Sequence, residues 1–311
     1  MSAGANASVI EPGRVALSMQ LPVQSQSTVF AQEWERSAGP AELVRIAKAA
    51  DRCGFFSIGV CDHVAIPRRA AAAMGTVWYD TVATLGMLAG VTERSRLLSH
   101  VYVPAYRNPL LVAKAFATLD VLSGGRVILG VGVGHLAEEF AALEVDYEQR
   151  GKLLDDAIDR IAEALSEEFV DDLAVAPRPV QRPRPPIWVG GSSPPALRRA
   201  AERGDGWLPQ GTPRSKMPEQ VAYLLEHRRK ARGDEPIDIT AATPWIHMGD
   251  ARWELPPRAL TGSPEAIAEP LRDLVGLGVN NLMLGLAARS CDELEDQMDA
   301  FATGVGPLLA V

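Results

Sequence analysis

Short runs of apolar and β-branched residues alternate with longer amphipathic segments from end to end of this 311-residue chain. That rhythm is the pattern of repeated strand-helix units rather than of a helical bundle or a β-sandwich. The strand-like runs fall at 14–21, 55–60, 97–103, 127–133, 187–189, 206–209, 237–248 and 281–285. Helices are expected at 40–53, 79–91, 107–122, 149–168, 192–203, 219–232, 262–276 and 291–305. Pro40 near the start of the first helix and Gly54 just past its end follow the usual asymmetry of helix termini. Eight such units predict an α/β fold, a (β/α)8 TIM barrel forming a single domain over residues 14–311, with residues 1–13 as a flexible N-terminal arm. A doubly wound sheet is disfavoured, because no GxGxxG opens a first strand-helix turn with an acidic residue about 20 positions on.

Composition matters at three points. The 47% hydrophobic content suffices for the core that one such barrel must bury. The net charge of -8 is spread along the chain, which argues against nucleic acid or an anionic membrane as partner and leaves a small molecule. Cys53, Cys61 and Cys291 are odd in number and lack CxxC spacing, so neither a disulfide framework nor a cysteine metal site is expected. Residues 1–13 have no basic start and no long apolar core, and no run is long enough to span a bilayer, so a cytoplasmic location is expected. The proline-dense stretch at 177–186 (PRPVQRPRPP) must be extended, and it reads as a connection inside one domain because the strand-helix rhythm resumes after it.

Residues 123–140, SGGRVILGVGVGHLAEEF, carry the most chemistry. The strand within them is apolar enough to be buried on both faces. Gly130, Gly132 and Gly134 recur at every second position, leaving one face without side chains, as where another group approaches the backbone. His135 then stands at the strand's C-terminal end, the edge at which α/β barrels bind ligands. The same rim would gather Asp62 and His63 after the second strand and Ser99 and His100 at the third. Two chemistries compete: a hydrolase with His63, His100, His135 and an aspartate around a metal, or a site where the histidines surround the ring of an organic cofactor. In the second, Gly190 and Gly191 before a helix opening with Ser192, Ser193, Pro194 and Pro195 would hold a phosphate. Glycines suit a flat ring better than a metal, no HxH or HExxH spacing occurs, and no metal site is assigned.

LSGGRVILGVGVGHLAEEF, with RNPLLVAKAFATLDVLSGG upstream and PVQRPRPPIWVGGSSPPALRRAAERGDGWLP downstream, resembles the bacterial luciferase-like superfamily. Its members bind FMN or the deazaflavin coenzyme F420. The resemblance runs in register over residues 15–286 and implies a luciferase-like barrel, a cofactor at its C-terminal mouth and a homodimer. Within the superfamily the chain is more similar to the F420-dependent oxidoreductases. By that likeness CDHVAIP supplies His63 as the residue of proton transfer and Asp62 as a cofactor contact. Ser99, His100 and Val101 match the place of a non-prolyl cis peptide behind the ring, expected between His100 and Val101. The family usually has a small residue where His100 stands. Val133, Gly134 and His135 match the segment beside the ring, with His135 a second catalytic candidate where sugar-phosphate dehydrogenases carry a glutamate. Gly190 and Gly191 match the phosphate-holding turn, with Gly206 and Trp207 close behind it. The implied function is hydride transfer between F420 and a small organic substrate. The alternatives are an FMN-dependent monooxygenase, a non-catalytic flavin-binding protein and the metal-dependent hydrolase.

Overall fold

Eight parallel strands close on themselves in the computed structural model, which describes residues 8–28 and 31–309. In chain order the strands are β1 (Ala16–Gln20), β2 (Ser57–Val60), β3 (Arg96–Ser99), β4 (Val127–Val131), β5 (Ile187–Gly190), β6 (Gly206–Leu208), β7 (Asp238–Met248), β8 (Leu260–Gly262) and β9 (Asn281–Leu286). Neighbours from β1 to β7 pair in order, β7 pairs with β9, and β9 returns to β1, where Ala16 stands opposite Asn281. The expected barrel is therefore formed. β8 lies outside the ring. β7 is eleven residues long, and its far end at Ile246, His247 and Met248 pairs with β8 in a stretch the sequence pattern left partly as loop and partly as helix.

The outer layer is α1 (Pro40–Arg52), α2 (Ala71–Met74), α3 (Thr81–Ala89), α4 (Pro109–Leu122), α5 (Ala137–Ala142), α6 (Arg150–Ser166), α7 (Pro194–Arg203), α8 (Met217–Arg232), α9 (Pro264–Gly276) and α10 (Cys291–Gly304). Side-chain caps set several starts: Asp80 accepts from the amide of Ala83, Asn108 from Leu110 and Ser263 from Ala266. The short helices α2 and α5 occupy segments that carry no full amphipathic period and were not expected from it. Among the described residues no helix is long and apolar enough to cross a membrane.

Inside the ring, Ala16, Leu98, Ile128, Trp188, Leu208 and Met283 fill the barrel toward its N-terminal end. Gly206 makes room for this layer, since a Cβ there would lie 2.4 Å from Cδ1 of Trp188. Ile10 packs onto the same cluster at 3% exposure, and Ser8 and Val9 donate hydrogen bonds to the Asp238 carboxylate at 2.5 and 3.0 Å. The described part of the expected arm is thus fastened to the barrel; residues 1–7 lie outside the described residues.

Candidate active site

The peptide between His100 and Val101 is cis, as the resemblance implied, and the chain there turns Val101 toward β4 and β5. A Cβ on Gly132 would meet Cγ2 of Val101 at 2.4 Å, and one on Gly190 would meet its Cγ1 at 2.7 Å. A Cβ on Gly130 would lie 2.0 Å from the carbonyl oxygen of Ser99. The group that approaches the bare face of β4 is therefore the protein's own third strand and the bulge after it. Ser99 belongs to this packing: it is fully buried and its hydroxyl donates to the Gly130 carbonyl at 2.9 Å.

His63 and His135 meet at the rim, ring centroids 5.4 Å apart and nearly perpendicular, and Trp78 lies edge-on to His63 at 4.5 Å. Beneath them Glu139, buried on the first turn of α5, accepts from the amides of Val64 and Ala65 at 2.5 and 3.1 Å and from the Tyr106 hydroxyl at 2.8 Å. Its Oε2 also stands 3.1 Å from Nδ1 of His63. A carboxylate can only accept, so Nδ1 carries the imidazole proton and Nε2 is left for proton exchange. Burial pushes the Glu139 carboxyl upward, but the hydrogen bonds from His63, Ala65, Tyr106 and Val64 outweigh it and hold the group below its usual range. Burial, and then the charge on His63, lower the pKa of His135. Gly134 has φ of +74° and would bring a Cβ to 2.7 Å from Phe140, so this turn needs glycine on both counts. Val133 before it is half-buried.

Asp62 points elsewhere. Both its oxygens are held by Arg107, at 2.7 and 2.8 Å, and one also accepts from the amide of Val103 at 2.9 Å. Arg107 in turn covers the Tyr102 ring at 4.2 Å. Asp62 thus fastens the segment after β3 to the end of β2.

A cavity of about 510 Å³ opens at the C-terminal ends of β1, β7 and β9, within the range of small-molecule sites. His100 is in its wall, apart from the His63 and His135 pair. Among the described residues no hydrogen-bond partner reaches His100 Nδ1, and burial lowers the ring's pKa to about 4, so the imidazole is neutral. Met19, Leu21, Leu284, Leu286 and Trp245 make the apolar surface, with Gln20, Gln24, Gln32, Gln210 and Thr243 between them. The cavity wall is linked to the segment that carries His63: Ser25 bridges through the backbone to Trp78, the ring against His63, and Gln24 Oε1 accepts from the amide of Cys61. At its other end Gln210 is tied to Ser192, each bonded to the other at 2.9 Å.

Gly190, Gly191, Ser192 and Ser193 form the turn into α7. Trp207 is buried behind it and donates its indole N–H to the Gly191 carbonyl at 2.7 Å. Gly191 has φ of +111°. The turn offers fewer donors than its sequence suggested. The Gly191 amide is spent on the Leu208 carbonyl, and Pro194 and Pro195 have no N–H, which leaves the amides of Ser192, Ser193 and Ala196. Among the described residues no group of three or more His, Cys, Asp or Glu side chains is placed to hold a metal ion.

Glu139 and Tyr106 were not singled out from the sequence. Glu139 stands four residues after His135, a helical interval, but only the phase of α5 shows that it, and not Glu138, turns inward.

Residues 17–254 match the family model of the luciferase-like monooxygenases. An F420-dependent glucose-6-phosphate dehydrogenase from Intrasporangium calvum is 30% identical over 226 residues, 66% of either chain. Among solved structures, the monooxygenase RslO1 from Streptomyces bottropensis superposes with a TM-score of 0.75 at 22% identity, over 95% of this chain and 100% of that one. An F420-dependent secondary alcohol dehydrogenase in complex with an F420-acetone adduct gives 0.71 at 16% identity, over 95% and 99%.

Proposed function

The chain belongs to the luciferase-like monooxygenase family of oxidoreductases, and from that premise we propose that it uses coenzyme F420 to move a hydride to or from a small organic substrate. The observation that supports this most is the carboxylate-oriented His63 beside a cavity at the strand ends. The cavity and the turn at Gly190 and Gly191 are joined through Gln210 and Ser192, so they suit a ring with a phosphate-bearing tail. When bound, the deazaflavin supplies the hydride chemistry. The chain's own task is to place the acceptor and manage one proton. His63 exchanges that proton at Nε2, and Glu139 stabilises the imidazolium while fixing its tautomer. His135, edge-on to His63, stays neutral near physiological pH and is the second group able to relay a proton.

The test is binding. Titration of the purified chain with F420 and, separately, with FMN should show saturable binding of F420; saturation by FMN alone would overturn the F420 reading in favour of the monooxygenase one.

We also propose a cytoplasmic homodimer. Three free thiols suit a reducing compartment. Leu111 and Leu122 are 67% and 71% exposed on α4, eleven residues, about three turns, place them on one face of that helix, and the neighbouring α3 exposes Met87.

A further inference from the structure

We propose that the cavity takes an uncharged organic substrate rather than a phosphorylated one, an assignment that rests on the proposed function, in which this cavity holds the substrate against the cofactor's ring. The argument is one of charge. Among the described residues lining the cavity, none is lysine or arginine. Its polar side chains are carboxamides, the hydroxyls of Ser25 and Thr243, the neutral ring of His100 and one carboxyl group. Several of these are already committed. Gln32 donates to the Leu286 carbonyl and accepts from the amide of Ala288, and Gln20 Nε2 stands 3.0 Å from the Cys61 sulfur.

Glu35 is the one carboxylate in the wall. It accepts from the amides of Val23 and Gln32 at 2.9 and 2.7 Å. Burial outweighs those bonds and raises its pKa. When ionised it would repel an anion, and when neutral it would not attract one.

Three arginines on the segments after β2, β3 and β9 have carboxylate partners of their own: Arg107 with Asp62, Arg69 with Glu138 and Arg289 with Glu293. A phosphate dianion in this space would lose water without gaining a cation, at a cost of several kcal/mol. Phosphate sites elsewhere meet that cost with arginine, lysine or a helix N-terminus, and the helix N-terminus joined to this cavity, at α7, is assigned above to the cofactor's own phosphate. A ketone or alcohol needs only a neutral donor and apolar wall, and the leucines and methionines of β1 and β9 provide the wall.

Calorimetric titration of the full chain, loaded with whichever of F420 and FMN it binds, would compare acetophenone with glucose 6-phosphate. The expected result is saturable acetophenone binding at least about tenfold tighter than that of the sugar phosphate. Tighter binding of the sugar phosphate, or no binding of either probe, overturns the proposal. Ala242 lines the cavity with an exposed side chain, so Ala242→Lys adds a cation there. It should raise affinity for glucose 6-phosphate about tenfold, while Ala242→Gln should not. Equal affinities in the two variants would mean that charge is not what excludes the anion. Cofactor binding is followed separately by its own absorbance, so its failure sinks the oxidoreductase reading and leaves the charge measurement intact.

Discussion

His63 and Glu139, separated by 76 positions in the sequence, meet at 3.1 Å at the mouth of the barrel. The carboxylate that orients the imidazole also receives the next two amides of the same segment, from Val64 and Ala65. One buried group therefore fixes both the loop after β2 and the ring it presents.

Replacing His63 by Ala should leave cofactor affinity within about twofold and lower turnover by about 10²- to 10⁴-fold, the range for a positioned acid-base group. Steady-state rates beside a cofactor titration would show it. A variant that turns over at the wild-type rate removes His63 from the mechanism.

Glu139→Gln turns an amide toward donors that need an acceptor, and should cost about 1–3 kcal/mol of stability. Because its folded pKa is depressed, the stability Glu139 contributes is present above the ordinary value of 4.5 and is lost as pH falls through the lower folded value. Urea denaturation across that acid range should show a steeper loss in the wild type than in the variant. Parallel curves would contradict the assignment.

Gly132→Ala brings a methyl group against Val101 at 2.4 Å, for an expected loss of about 1–3 kcal/mol. Val101→Ala removes the obstructing atoms, so the double variant should be less destabilised than the sum of the two single changes. Simple additivity, within about 0.5 kcal/mol, would show that the two residues do not press on one another.

His100 has a depressed pKa, about 4 against an ordinary 6.5, so the folded chain favours the neutral ring. Its stability is full above 6.5 and falls as pH drops toward 4, because the unfolded chain takes up the proton first. His100→Asn should flatten the stability curve over that interval by about 1–3 kcal/mol, a figure reduced for the ring's partial exposure to the cavity. Denaturant midpoints at the two ends of the interval decide it.

Leu122→Glu should convert a dimer to a monomer in sedimentation or light scattering, since a charge on the exposed stripe of α4 cannot be buried without a partner. A wild-type chain that sediments as a monomer ends the homodimer proposal.

The alternating glycines of β4 were readable as a bare face, but not what covers it. Local sequence shows where side chains are missing, while the closeness of Val101 depends on how β3 and β5 flank that strand. The turn at Gly190 and Gly191 was readable too, yet the Leu208 carbonyl that occupies the Gly191 amide lies on β6 and was not. Asp62 and His63 are adjacent in the sequence and part in the structure, one held by Arg107 and the other by Glu139.

The order of strands and helices, and with it the barrel, follows from the chain's own periodicity, because apolar spacing acts over a few residues and each segment carries its own pattern. The pairings at the rim were decided by closure of the ring. Of two neighbouring glutamates, Glu138 faces Arg69 at the surface and Glu139 is buried under His63. That choice rests on the rotation of α5 against the barrel, which distant strands set and no local pattern carries.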